Sequence, residues 1–165
     1  MTPPRSTTAL TLALALSLLT PLAAAAQSTI TGPQPEQPKQ PLTIITHDGP
    51  HHDLQVEVAR TPDQQEVGEM FRTKVPDDGG MLFDWGAVRE SNMWMRNTLV
   101  PLDMLFIAPD GTITHIAEDT VPQSLAIIPS DGPVRATLEV AGGTAKRLGI
   151  VVGDKVVGAG LGREG

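Results

Sequence analysis

The chain has 165 residues, a formal net charge of −7, no cysteine, no tyrosine, three Phe and two Trp. An acidic balance argues against a nucleic-acid partner, whose phosphate backbone needs a basic face. The missing cysteines exclude disulfides and thiol chemistry, so packing and hydrogen bonds must hold the fold alone.

Arg5, the apolar run Ala9 to Leu19 and the small-residue site Ala24-Ala25-Ala26 make the three-part layout of a secretory signal peptide over residues 1–26. The run falls short of the roughly 20 residues a membrane span needs, and Pro21 closes it. No transmembrane segment is therefore expected in the mature chain, and the predicted location is periplasmic or secreted, with Gln27 as the new N-terminus. Residues 27–41 are rich in Gln, Pro, Thr and Ser and hold one large aliphatic residue, Ile30, before the domain. Such a segment buries too little apolar surface to order itself and reads as a disordered tether. A single domain over residues 42–161 remains, long enough for one core.

Leu42 to Thr46 and Leu54 to Val58 read as strands of a hairpin turned by Asp48-Gly49-Pro50. Thr61-Pro62-Asp63-Gln64 opens a helix expected to reach Phe71, with Thr61 as N-cap, Pro62 at the first helical position and Gln64 completing a capping box. Met81 to Phe83 and Asn92 to Arg96 read as the next strands. Asp103 to Ala108 and Thr112 to Ile116 form a hairpin around Pro109-Asp110-Gly111. Leu125 to Ile128 and Arg135 to Val140 follow, split by the turn signal Asp131-Gly132-Pro133. A short helix over Gly143 to Leu148 ends on Gly149, a natural left-handed cap, and Lys155 to Val157 is the last strand. The expected class is mostly β with two short helices (α+β), an antiparallel-rich small barrel.

Every aromatic residue, and every methionine after the initiator, lies between Met70 and Phe106. Aromatic side chains bring large apolar area, so this stretch builds either the core or a binding surface.

Several short motifs follow one another in order: Gly68-Glu69-Met70-Phe71-Arg72, Gly80-Met81-Leu82-Phe83, Trp94-Met95-Arg96-Asn97-Thr98 and Pro101-Leu102-Asp103-Met104. Asp110-Gly111, Leu138-Glu139-Val140, Gly149-Ile150 and Gly153-Asp154-Lys155-Val156 complete the series. Together they resemble the domain-of-unknown-function 192 family, small exported or membrane-tethered prokaryotic domains, from Leu42 to Val157. The resemblance implies a small β-barrel and no established biochemical activity. The chain departs from the family pattern at Glu69, where Leu is frequent, and at Met93, where an aromatic is frequent. It also lacks the cysteine pair that many relatives carry before the Leu-Glu motif. Gly149 to Val156 resembles the glycine-aspartate turn of cradle-loop barrels; Gly153 permits a tight turn and Asp154 can accept backbone N–H groups of a neighbouring loop.

The candidate ligand-binding set is Trp94, Arg96, Asn97, Thr98, Asp103 and Glu139. In a strand, Trp94 and Arg96 would face one side and Met95 and Asn97 the other, giving a polar pocket walled by Trp94 and Trp85. The structural alternative is that Asn97 and Thr98 satisfy loop backbone and Asp103 fixes the turn beyond Pro101. Arg72 closes the first helix, where it either meets the helix C-terminus or brings a cation to the pocket mouth.

Three functions compete. The first is a non-catalytic binding or interaction module of the cell envelope, with a small ligand or an envelope component as partner and no cofactor. The second is a Cu(I)-binding protein using the thioethers of Met93 and Met95 with His115 as third ligand; methionines on one strand face also serve as packed core. The third is an unrecognised hydrolase using Asp103 and Glu139 as paired carboxylates. No serine nucleophile elbow, zinc-protease motif or phosphate loop occurs, so no catalytic residue is assigned. His51-His52 beside Asp53 could bind a stray divalent ion, although adjacent surface histidines usually have no chemical role.

Overall fold

The computed structural model describes residues 30–161. The leader expected over residues 1–26, with its cleavage before Gln27, lies outside them. β1 (Gln40–Ile45), β2 (His51–Ala59), α1 (Pro62–Val67), β3 (Gly79–Met93), β4 (Leu102–Ile107), β5 (Ile113–Ala117), β6 (Ile128–Ala141), α2 (Thr144–Leu148) and β7 (Lys155–Gly158) follow in chain order. The strands form one seven-stranded sheet in the order β5-β4-β6-β3-β2-β1-β7. The sheet curls into a half-barrel, the small barrel-like α+β fold expected. Its two edges meet at one end, where Ile113 N donates to Asp154 O at 2.9 Å and Val156 N donates to Gly111 O at 2.8 Å. Among the described residues no helix is long and apolar enough to cross a membrane.

The pairing is antiparallel except between β2 and β3, which run parallel from Gln55↔Gly79 to Ala59↔Phe83. Parallel neighbours need a crossover connection, and α1 with the turn after it supplies one. The capping box forms as the sequence indicates: Gln64 N donates to Thr61 Oγ1 at 3.3 Å and Thr61 N donates to Gln64 Oε1 at 3.1 Å. The helix stops earlier than Phe71, because Gly68 and Phe71 take positive φ (48° and 62°).

Two expected breaks are not breaks. β3 is one strand of 15 residues and β6 one of 14. The turn signal Asp131-Gly132-Pro133 lies inside β6, where it produces the register shift between Glu90↔Pro133 and Asn92↔Pro129. Two added residues absorbed as a bulge leave the ladder running on. Ser130 Oγ stabilises it, accepting from Ser91 N at 3.0 Å and donating to Gly132 O at 2.6 Å. At the other end of β3 the strand stops at Met93, so Trp94 to Arg96 are not strand residues.

Two apolar clusters fill the fold. One gathers aliphatic side chains from β1, β2, β6 and α2, including Ile44, Val56, Leu138 and Ala145. The second holds Met81, Phe83, Met93, Met95, Met104 and Phe106. The aromatic and methionine stretch thus builds a core on the opposite face of β3, β4 and β6.

The segment from Ile30 to Lys39 has no regular structure but does not hang free, in contrast to the tether its composition suggests. Gln34 Nε2 donates to Gln64 O at 3.2 Å and to Gly68 O at 3.0 Å. Gln37 N donates to Glu57 Oε2 at 2.7 Å. Long-range amide contacts, rather than apolar burial, hold it on α1 and β2.

Candidate functional site

The turn after α1 is set by a close approach. A Cβ on Gly68 would stand 2.8 Å from the Phe83 ring, so only glycine lets the helix end lie on that side chain. Phe71 N then donates to Asn97 O at 2.8 Å and Arg72 N to Glu69 O at 3.3 Å, which turns Glu69 and Arg72 inward. Arg72 makes a fork on Glu57 of β2, with Nη1 to Oε1 at 2.5 Å and Nη2 to Oε2 at 2.9 Å. Its Nε stands 3.3 Å from Glu69 Oε2. Burial pushes the Glu57 carboxyl up, but hydrogen bonds from Arg72 and Gln37 and the Arg72 charge outweigh it and hold Glu57 below its usual range.

Glu69 lacks such partners. It is buried, and its Oε2 receives no hydrogen bond; the Arg72 contact is one of charge without donor alignment. Burial, with the Glu57 charge adding to it and Arg72 opposing, raises its pKa from 4.5 to about 7. Glu139 is more extreme. On β6 it pairs with Met81 of β3 on one side and Met104 of β4 on the other, so its carboxyl stands in a row between two methionines. Among the described residues no hydrogen bond holds that carboxyl, and desolvation first, then the Glu69 charge, raise its pKa well above the ordinary value.

Both carboxyls border one groove of about 310 Å³, walled by Met70, Phe83, Trp85, Met93 and Trp94. Phe83 and Trp85 pack with ring centroids 5.7 Å apart, and Trp85 Nε1 donates to Thr137 Oγ1 at 3.3 Å. Trp94 is 39% exposed at the rim. Guanidinium groups lie over both indoles, Arg89 at 4.8 Å from the Trp85 centroid and Arg96 at 4.5 Å from that of Trp94. Glu69 also borders a second groove of about 480 Å³, lined by Lys39, Glu57, Arg72 and Lys74.

Of the six residues the sequence singles out, Trp94, Thr98 and Glu139 come together on the aromatic groove. Arg96 covers the Trp94 ring from the side. Asn97 is a turn residue, with φ 55° and its carbonyl accepting from Phe71 N. Asp103 stands apart. It is fully buried and accepts from three backbone N–H groups, Asp119 at 2.8 Å, Gly143 at 3.1 Å and Ala145 at 2.8 Å. That is a structural role, though on the segments at Asp119 and at the start of α2 rather than on the turn beyond Pro101, and it occupies both Asp103 oxygens. Met95 is fully buried and its sulfur accepts from Thr120 Oγ1 at 3.1 Å, whereas Met93 borders the groove. His115 packs against Phe106, 5.4 Å between ring centroids, with Nδ1 3.7 Å from Asp131. Among the described residues no group of three His, Cys, Asp or Glu is placed to hold a metal ion.

The sequence reading placed Trp85 on the pocket wall, where it stands, but missed Glu69, Glu57 and Phe83 as groove and charge-network residues. A signal was present: Glu57 and Glu139 each sit between apolar neighbours in a strand (Val56 and Val58; Leu138 and Val140), and Glu69 interrupts an apolar stretch.

A family model of the domain-of-unknown-function type, DUF192, described only as an uncharacterised ACR, matches residues 43–158. The chain belongs to the DUF192 family. A crystal structure of a protein from Sinorhizobium meliloti 1021, provisionally labelled a transcription regulator, is 52% identical with a TM-score of 0.75, covering 78% of this chain and 99% of that one. A protein of unknown function from Novosphingobium aromaticivorans DSM 12444 is 40% identical with a TM-score of 0.70, covering 82% and 94%. No curated protein matches. DUF192 membership accounts for the fold and carries no activity with it.

Proposed function

We propose that this DUF192 chain is an exported, non-catalytic binding module of the cell envelope that holds a small ligand in the groove between Phe83, Trp85 and Trp94. The observation that carries the reading is the part-exposed Trp94 at the rim of a concave groove that joins the aromatic walls Phe83 and Trp85 to the carboxyl groups of Glu69 and Glu139. Apolar walls with a few convergent polar groups are the usual form of a small-molecule site. A solvent-facing indole, by contrast, contributes little to the core beneath it. The leader-like first 26 residues support export. A role on nucleic acid, the label given to the Sinorhizobium protein, fits poorly with a net charge of −7 and three glutamates on the groove.

The test is a thermal-shift screen of small molecules against the full chain, repeated on Trp94→Ala. Ligands that raise the melting temperature of the wild type and lose that effect in the variant support the reading. Ligands that act equally on both refute it.

A further inference from the structure

The groove has a chemical bias that its aromatic walls alone do not explain. Two carboxyl groups border it, Glu69 from the turn after α1 and Glu139 from β6, and each residue is 3% exposed. Glu69 Oε2 is buried with no hydrogen bond, and the Glu139 carboxyl has burial and the Glu69 charge against its ionised form and only the Arg72 charge in its favour. A buried acid ordinarily has donors or a cation beside it, because an unpaired one costs its desolvation. Arg72 serves Glu57 with its fork and meets Glu69 only through Nε. The groove therefore has acid in excess of base at its floor.

The rim shows what its walls accept. Arg89 and Arg96 each place a guanidinium over an indole, so both Trp rings already stack with cations. An anion would meet Glu66, Glu69 and Glu139. A bare divalent metal lacks a ligand set, since no three suitable side chains converge among the described residues. An organic cation meets both demands, with its charge against carboxyl oxygens and its carbon body against aromatic rings.

Resting on the reading of this groove as the ligand site, we propose that its ligand is an organic ammonium ion, with the cationic head on Glu139 and Glu69 and the apolar body between Met70, Phe83 and Trp85. The head supplies donors to both carboxyls and adds to the one positive charge, Arg72, that they share. Charge-assisted hydrogen bonds to a desolvated carboxylate are among the strong ones. Because burial favours the protonated acids, the ligand displaces a proton as it binds. Binding therefore tightens as pH rises from 5 to 8. The charged groups that face this pair are Glu57 of β2, Glu66 of α1, Arg72 of the following turn and Arg89 of β3, with Lys39 and Lys74, cationic throughout that range, across the second groove from Glu69. The two arginines are cationic throughout that range, so the change reads out the acids.

The experiment uses 2-phenylethylamine as probe and 2-phenylethanol as its neutral counterpart, against the full chain, by tryptophan fluorescence and by calorimetry in two buffers of different ionisation enthalpy. The amine should bind about tenfold or more tightly than the alcohol, the value of one charge-assisted hydrogen bond. It should release a proton at pH 6 and bind more tightly at pH 8. Glu139→Gln and Glu69→Gln keep shape and should each erase the preference for the amine, whereas Trp94→Ala should weaken both probes. Equal binding of amine and alcohol, or binding of cellobiose in place of the amine, would overturn the ammonium class; if that binding is still lost in Trp94→Ala, the groove reading stands. No response of the wild type to the amine also overturns the proposal. Binding that survives in Trp94→Ala sinks the groove reading as well.

Discussion

Replacing Glu69 by Gln should stabilise the protein, and by an amount that grows with pH. Glu69 is buried with one oxygen lacking a hydrogen bond, and its pKa stands at about 7 in the fold against 4.5 for the free group. The sign follows from proton binding. Between those two values the native state holds a proton that the unfolded chain has released, so wild-type stability falls as pH rises from about 4.5 to 7 and is flat above. The full difference corresponds to about 3 kcal/mol. Gln keeps the shape, cannot ionise, and escapes that loss. The advantage of Glu69→Gln over the wild type should be about 1 kcal/mol at pH 5 and about 3 kcal/mol at pH 8. Urea denaturation at the two pH values measures it, with the slope m checked for constancy so that only stability is compared. A variant advantage that is the same at both pH values would mean that Glu69 is not a desolvated acid. A variant less stable at pH 8 would mean that the Arg72 Nε contact outweighs burial.

Asp103→Ala should cost about 3–5 kcal/mol, because three buried N–H donors lose their acceptor together; denaturant unfolding checks it, and a loss below 1 kcal/mol would be contrary. Phe106→Ala, at a site with no exposure, should cost about 3–5 kcal/mol, and Trp94→Ala, at 39% exposure, clearly less. Equal large losses in chemical denaturation would make Trp94 a core residue. Gly80→Ala should destabilise by about 1–3 kcal/mol or more, since its Cβ would collide with the Glu139 carbonyl oxygen and push β3 from β6; unchanged stability would show that the strands can part there without cost.

What was legible in the sequence was local. The capping box at Thr61, the left-handed stop at Gly149 (φ 68°) and the backbone acceptor role of Asp154 rest on contacts within a few residues or on one loop pair. Asp154 accepts from Val151 N and from His47 N, each at 2.8 Å. The parallel pairing of β2 with β3 was not legible, because short apolar runs carry no sign of their partner's direction. Asp131-Gly132-Pro133 has the residues of a turn, yet pairing with β3 on both sides turns it into a bulge; tertiary pairing overrode local preference. The ordering of residues 34–37 was hidden for a similar reason, since the amides of Gln34 and Gln64 find partners 27 or more residues away.

The candidate site turns on a comparison the sequence could not make. Asp103 and Glu139 lie one residue apart in register, on paired strands where Asp103 faces Val140 and Met104 faces Glu139. Both are acids buried to within a few per cent. Alternation along a strand sends neighbouring side chains to opposite faces, so that single step separates two environments. Asp103 meets two N–H groups at the start of α2 and a third, that of Asp119, after β5, and its charge is satisfied by the fold. Glu139 meets two methionines and an open groove, and the Arg72 charge that favours its ionised form is outweighed by burial and the Glu69 charge. A carboxylate already holding three donors has little to gain from a ligand, whereas one short of donors gains most from any cation that reaches it. Of the two acids, Glu139 is therefore the one open to chemistry from outside.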